Sequence, residues 1–261
     1  MRISAIEMQT VSEIFYQSAG PRGKPQTSTL PILRARASRL PEGVSAVLIT
    51  SDLQGVAPSW NAGGEAVLLG EVLAEHLYEL GDLPELADLG VILCGDLFSA
   101  PDAAKRGASG DVTSVWEAFS KIARWVVGVQ GNHDEYSSRF SKLLQVNCTL
   151  LDRGVADLGG VTLGGVGLIA GQPEKRGRRS AEEQSNLIRR VSSQRPDFLL
   201  LHEGPPGDPQ HQRGSQHILD ALHPDFRGTI IAGHCHWDDP FARLSSADCL
   251  NVDARAVIVT L

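Results

Sequence analysis

"WVVGVQGNHD", Trp125 to Asp134, joins two kinds of residue. Trp125–Gln130 is an apolar run of strand length. Gly131, Asn132, His133 and Asp134 follow at once, with a glycine that permits a sharp turn. A polar turn directly after a strand is either an ordinary connection or part of a ligand site. These residues alone leave both readings open.

The same grammar recurs along the chain. Val44–Thr50 runs into Ser51, Asp52, Leu53 and Gln54, and Leu89–Cys94 into Gly95 and Asp96. Asp197–Leu201 leads to His202 and Glu203, and Thr229–Ala232 to Gly233, His234, Cys235 and His236. In an open α/β sheet such strand ends share one edge, where ligand sites form. Groups from Asp52 to His236 can therefore converge. Taken alone, "IAGHCHWDD" (Ile231–Asp239) is either a metal site or two solvated histidines. Five coincident strand ends favour ligands.

Between these strands the spacing turns helical. Val67, Leu68, Val72, Leu73, His76, Leu77 and Leu80 lie on one helical face, with Gly81 as a stop. Val115, Trp116, Phe119 and Ile122 form a second face, and Ser180–Gln194 and Ser215–Leu222 read as further helices. Alternating strands and helices predict a layered α/β fold with a largely parallel sheet. Phe241–Leu261 reads as additional strands. Residues 1–41 mix Pro, Gly and basic side chains, which predicts an N-terminal extension packed as an arm or strands on a domain of residues 42–261.

At 261 residues the chain can bury a core without disulfides, and its net charge of −7 argues against a nucleic-acid binder that relies on phosphate neutralisation. Cys94, Cys148, Cys235 and Cys249 show no C-x-x-C pairing, which fits reduced thiols. No signal-like or membrane-length apolar run is present, so a cytoplasmic protein is expected, with no membrane partner.

The inventory of Asp52, Asp96, Asn132, His202, His234, His236 and Gln54 mixes oxygen and nitrogen donors. That mixture suits Mn, Fe or Zn. It exceeds the needs of one tetrahedral ion and suits two ions sharing a carboxylate. Two ions about 3.5–4 Å apart can clamp a phosphoryl group and lower the pKa of water toward about 7.

The order D-x-Q, GD, GNHD, H, GHxH resembles the calcineurin-like metallophosphoesterases from Asp52 to His236. The resemblance implies a four-layer α/β/β/α sandwich, with two central mixed sheets flanked by helices, and a dinuclear centre. It implies that Asp52, Gln54, Asp96 and His236 hold a first ion, with Asp96 bridging, and that Asn132, His202 and His234 hold a second. His133 resembles the catalytic histidine that contacts the phosphate and protonates or stabilises the leaving oxygen. The implied activity is attack of metal-activated hydroxide on a small phosphorylated or nucleotide substrate.

Two positions depart from the pattern. Gln54 stands where the family usually has His, and a harder amide oxygen there favours manganese or a weak first site. Within the family, D-x-Q resembles the manganese-dependent ADP-ribose and CDP-alcohol diphosphatases. Ser99 stands where GD-x-x-D has its second Asp, which leaves Asp134 and Asp102 as candidates to orient His133. A weakened site serving as a scaffold or binding protein is the alternative function. Cys235 reads as a bystander. Ala57–Gly64, Ser99–Asp111 and Gly171–Ser180 are the expected specificity loops.

Overall fold

The computed structural model describes residues 3–81, 83, 85–208 and 211–261; Met1 and Arg2 of the extension and Asp82 after the first predicted helix lie outside these. The N-terminal strands β1 (Ile3–Ala19) and β2 (Pro25–Ala37) form a long antiparallel hairpin. Next come β3 (Ala46–Ser51), β4 (Gly55–Pro58), β5 (Ala66–Leu68) and the helix α1 (Leu69–His76). β6 (Leu89–Leu93), β7 (Gly110–Asp111), α2 (Thr113–Ile122), β8 (Trp125–Gly128), β9 (Asp134–Glu135), α3 (Phe140–Leu143) and β10 (Cys148–Leu150) follow. The second half holds β11 (Gly154–Leu158), β12 (Val161–Val166), β13 (Ile169–Ala170), β14 (Arg178–Arg179), α4 (Ala181–Ser192), β15 (Phe198–Glu203), α5 (Gln216–Ala221), β16 (Thr229–Gly233), β17 (Phe241–Arg243), β18 (Asp248–Asn251) and β19 (Arg255–Thr260).

Two large sheets result, ordered β10-β8-β6-β3-β19-β2-β1-β4-β5 and β11-β12-β15-β16-β18-β17. Both are mixed. β10, β8, β6 and β3 run parallel, but β19 is antiparallel to β3 and parallel to β2. The expectation of a largely parallel sheet therefore holds for the strands that carry the motifs and fails for the hairpin side. The motif-bearing strand ends also belong to two sheets, with β3, β6 and β8 in one and β15 and β16 in the other.

Alternation along β3 explains how the layers pack. Leu48 faces a core shared with Leu69 and Leu73 of α1 and Trp116 and Phe119 of α2. Its neighbours Val47 and Ile49 face a core shared with Leu163, Phe198, Leu200 and Ile231 of the second sheet. Successive strand residues point to opposite faces, so a strand covered on both sides is apolar throughout. The opposite face of the second sheet, through Leu199, Leu201 and Ile230, packs on Leu187, Ile188 and Val191 of α4 and Ile218 of α5.

Helix α4 shows why its sequence is helical. The Ser180 side chain accepts a hydrogen bond from the Glu183 backbone N–H at 3.1 Å, a cap that satisfies one of the free N–H groups of the first turn. Glu182 and Glu183 lie at its positive end and Arg189 and Arg190 at its negative end. Gln184, Leu187, Ile188 and Val191 supply the buried face. The first predicted helix is shorter than its periodicity implies, because Val67 and Leu68 pair with Ala57 and Val56 as an edge strand. Apolar spacing does not separate a short strand from the first turn of a helix that follows it.

Candidate metal centre

Three candidate ligands leave their strands through an unusual backbone. Asp52, Asp96 and His234 adopt φ of +55°, +54° and +68°. Non-glycine residues pay roughly 1–2 kcal/mol each for the left-handed conformation, and such strain concentrates at functional sites. The turns also approach one another closely. A Cβ on Gly131 would lie 2.1 Å from the Asp96 backbone nitrogen, and one on Gly233 would lie 2.1 Å from Asp52 Oδ2. Only glycine fits at either position.

Asp134 fastens two of these turns together. Its buried carboxylate accepts from the backbone N–H groups of Asp96 (2.9 Å), Leu97 (2.8 Å) and Gly131 (2.9 Å). Burial and the Asp96 carboxylate push its pKa up to about 6. Asp134 therefore does not orient His133, and among the described residues Asp102 accepts only the Ala104 N–H. The partner of His133 Nδ1 is the Ser109 hydroxyl at 3.0 Å. The His133 backbone N–H donates to Asp96 Oδ1 at 2.9 Å, which sets the ring beside the carboxylates.

His202 is fully buried and its Nδ1 lies 2.8 Å from the Cys94 carbonyl, so that nitrogen carries the proton. Nε2 then faces Asn132 Oδ1 at 3.1 Å and Asp96 Oδ1 at 3.4 Å. A positive charge reconciles these atoms, and either a proton on Nε2 or a bound cation supplies it. Burial works to lower the His202 pKa, yet the Asp96 carboxylate lifts it to about 10. Burial likewise opposes ionisation of Asp96, but His202 holds that carboxyl below its usual range. Burial and then His202 lower His234, which favours an imidazole with a free lone pair. Donor atoms of Asp96, His202 and His234 all lie within 4.8 Å of one another. This donor set fits a divalent cation.

The other predicted residues are placed differently. Asp52 Oδ2 accepts from the Ser51 hydroxyl (2.7 Å) and the His234 backbone N–H (2.8 Å). Burial, then the neighbouring Asp253, raises the Asp52 pKa well above the carboxylate range. Gln54 donates its amide nitrogen to Asp96 Oδ2 at 3.0 Å. His236 is joined to none of these side chains. Its Nδ1 contacts Asp253 Oδ1 at 3.2 Å, and Arg255 Nη2 lies 3.3 Å from its Nε2. All three predicted outer residues, with Asp96, His133 and His234, line one cavity.

Asp253 and Arg255 were not foreseen, although the strand-end rule applied to "DCLNVD" would have found Asp253. Among the residues near GHxH, Trp237 is buried with Nε1 donating to the Arg213 carbonyl at 2.6 Å. The Cys235 carbonyl accepts from Asn251 at 2.8 Å, which steadies the turn through backbone and not sulfur. Of the predicted specificity loops, only Ser99–Asp111 contributes cavity-lining residues; the β1–β2 hairpin supplies the opposite side.

The profile of the calcineurin-like phosphoesterases matches residues 45–238. Among solved structures, TT1561 of Thermus thermophilus superposes with a TM-score of 0.54 at 16% identity, covering 81% of this chain and 90% of that one. The protein of unknown function AQ665 from Aquifex aeolicus covers 82% of this chain and 95% of its own, with a TM-score of 0.39 and 13% identity. The first likeness concerns fold alone. No curated protein matches.

Proposed function

This chain belongs to the calcineurin-like phosphoesterase family, and on that premise we propose that it hydrolyses a phosphoester or phosphoanhydride bond of a small phosphorylated or nucleotide substrate. The observation that carries this reading is the gathering of donor atoms of Asp96, His202 and His234 within 4.8 Å of one another, with Asn132 Oδ1 beside His202. We take Asp96, Asn132, His202 and His234 as holders of one divalent ion. Asp52, Gln54, Asp96 and His236 are the candidates for a second. Manganese is our first choice, because carboxylate and amide oxygens are hard donors, with Fe or Zn as alternatives.

When bound, the ions supply charge neutralisation to the phosphate and lower the pKa of water toward about 7. The chain's own residues do the rest. The Gln54 amide and the His133 backbone N–H fix the position of Asp96. His133, held by Ser109 at Nδ1, faces the cavity and delivers a proton to the departing oxygen. Asp134 keeps the two turns that carry these groups at a fixed distance.

Three cores, helix on sheet, sheet on sheet and sheet on helix, support a four-layer α/β/β/α reading of the fold. Residues 42–261 form the domain in this reading, and the 1–41 extension is integral to its sheet through the β19–β2 pairing. Four unpaired cysteines fit a cytoplasmic setting. No helix among the described residues is long and apolar enough to cross a membrane.

The test is hydrolysis of p-nitrophenyl phosphate and its bis ester with added Mn. Activity in the parent chain that disappears in Asn132→Ala and His133→Ala supports the proposal, and activity that survives both refutes it. A scaffold reading is favoured by Gln54 donating to Asp96 and by Arg255 against His236. Metal content separates the two readings: about two ions per chain fits the dinuclear hydrolase, and none after supplementation fits the scaffold.

A further inference from the structure

The cavity over the centre measures about 830 Å³, within the ~300–1,000 Å³ of sites that enclose whole small molecules. A single phosphate does not require that space. Its floor is the candidate metal centre. Its walls come from the β1–β2 hairpin and the loop between β6 and β7.

One wall is the outer half of the β1–β2 hairpin. Ile14 opposes Leu30, Tyr16 opposes Ser28, and Ser18 opposes Gln26, so these pairs share one face. Ile14 and Leu30 are core residues. Beyond Tyr16 the same face changes to hydroxyl and amide groups. Ser18 and Ser28 are half-buried, 2.7 Å apart at Oγ, and with Gln26 they line the cavity. The hairpin tip also reaches across, since a Cβ on Gly23 would lie 3.3 Å from the Ala104 carbonyl.

The facing wall is the loop between β6 and β7. Gly107 packs on His133, with an added Cβ 3.2 Å from the ring carbon Cε1. Lys105 and Arg106 immediately precede it. Both are exposed and line the cavity. Neither has an ion-pair or hydrogen-bond partner among the described residues. In a chain of net charge −7, two unpaired cations beside the candidate catalytic histidine call for an anion other than the one over the metals.

We propose that Lys105 and Arg106 form a subsite for a second phosphate joined directly to the reacting one, while Ser18, Gln26 and Ser28 bond hydroxyls of the alcohol portion. Direct linkage follows from Gly107, which sets both cations within two residues of a contact with His133. The substrate class is a diphosphate of a hydroxyl-rich alcohol. This inference rests on the phosphoesterase reading of the centre.

AMP and ADP differ by the phosphate in question, so each is tested as a competitor of p-nitrophenyl phosphate hydrolysis with metal in excess. ADP is expected to inhibit at about a tenfold lower concentration than AMP, the scale of one charge-assisted contact. In the double variant K105A/R106A that preference falls to about threefold or less. In Gln26→Ala both nucleotides weaken together and the preference remains. If p-nitrophenyl phosphate is hydrolysed but ADP and AMP inhibit equally, or the double variant keeps the preference, the subsite is wrong and the phosphoesterase reading stands. If the parent chain hydrolyses no p-nitrophenyl phosphate with Mn, the reading beneath the subsite fails and takes the subsite with it.

Discussion

Asp96, Asn132, His202 and His234 differ from Asp52, Gln54 and His236 in what compensates their polar atoms. In the first group acceptor atoms face one another across a buried space. His202 is 0% exposed, and its Nε2 meets the Asn132 and Asp96 oxygens, an arrangement that a proton or a bound cation completes. In the second group the protein already answers each side chain. Asp52 has Ser51 and a backbone N–H, Gln54 has Asp96, and His236 has Asp253 and Arg255. The His236 side chain is 54% exposed. A site whose lone pairs already have partners gains less from an ion. The centre should therefore load unequally, with the buried group filled first.

The hardest test of this inequality removes the buried group. His202→Ala is expected to abolish tight binding of the ion assigned to Asp96, Asn132, His202 and His234, and to lower metal-dependent hydrolysis by at least about 100-fold, at or beyond the upper range for outer-shell partners of a ligand. Titration calorimetry with Mn reads the binding, and an equal loss in His236→Ala would erase the distinction between the groups. A gain is expected from Gln54→His. Replacing the amide with imidazole should tighten the weaker ion by about tenfold, the lower range of single-partner effects at metal sites. An unchanged second binding step would show that Arg255, and not the amide, sets the weakness.

The smallest effect is expected away from both groups. Asp111 Oδ1 accepts from the Thr113 backbone N–H at 2.9 Å and from the Ser137 N–H at 3.2 Å, at the start of α2. Asp111→Ala should cost about 1 kcal/mol of stability, as for the loss of a capping carboxylate, and leave metal affinity alone. Burial opposes ionisation of Asp111, but its bonds to Thr113 and Ser137 outweigh it and depress the pKa. The contribution is thus complete above the unfolded carboxyl pKa near 4 and fades as pH falls through the lower folded value. Melting curves of the parent chain and the variant should converge in strong acid; a gap that widened there would contradict the assignment.

The motif-bearing strands were readable because each is apolar throughout and ends in a polar turn, a pattern that burial on both faces demands. The helix over Ser180–Gln194 was legible as an element, observed as Ala181–Ser192. The β1–β2 hairpin was not, because its residues alternate between core and solvent and its Pro and Gly imitate a loop. Its place beside β19 depends on pairing between distant segments, which no local pattern records. The same holds at the centre. Asp52, Asp96, Asn132 and His202 announced themselves by motif, whereas Ser109 on His133 and Arg255 on His236 are meetings produced by the fold. Asp134 adjoins His133 in its motif, which suggests a partnership, but its carboxylate serves three backbone groups instead.

Strand β19 lies between β3 and β2, and without it the nine-stranded sheet separates into β10-β8-β6-β3 and β2-β1-β4-β5. During synthesis both fragments emerge long before the segment that unites them. The hairpin must wait, its inner edge uncovered, until Arg255–Thr260 leaves the ribosome and inserts. The wall that the hairpin lends to the cavity thus joins the strands of the candidate metal centre only once β19 is in place.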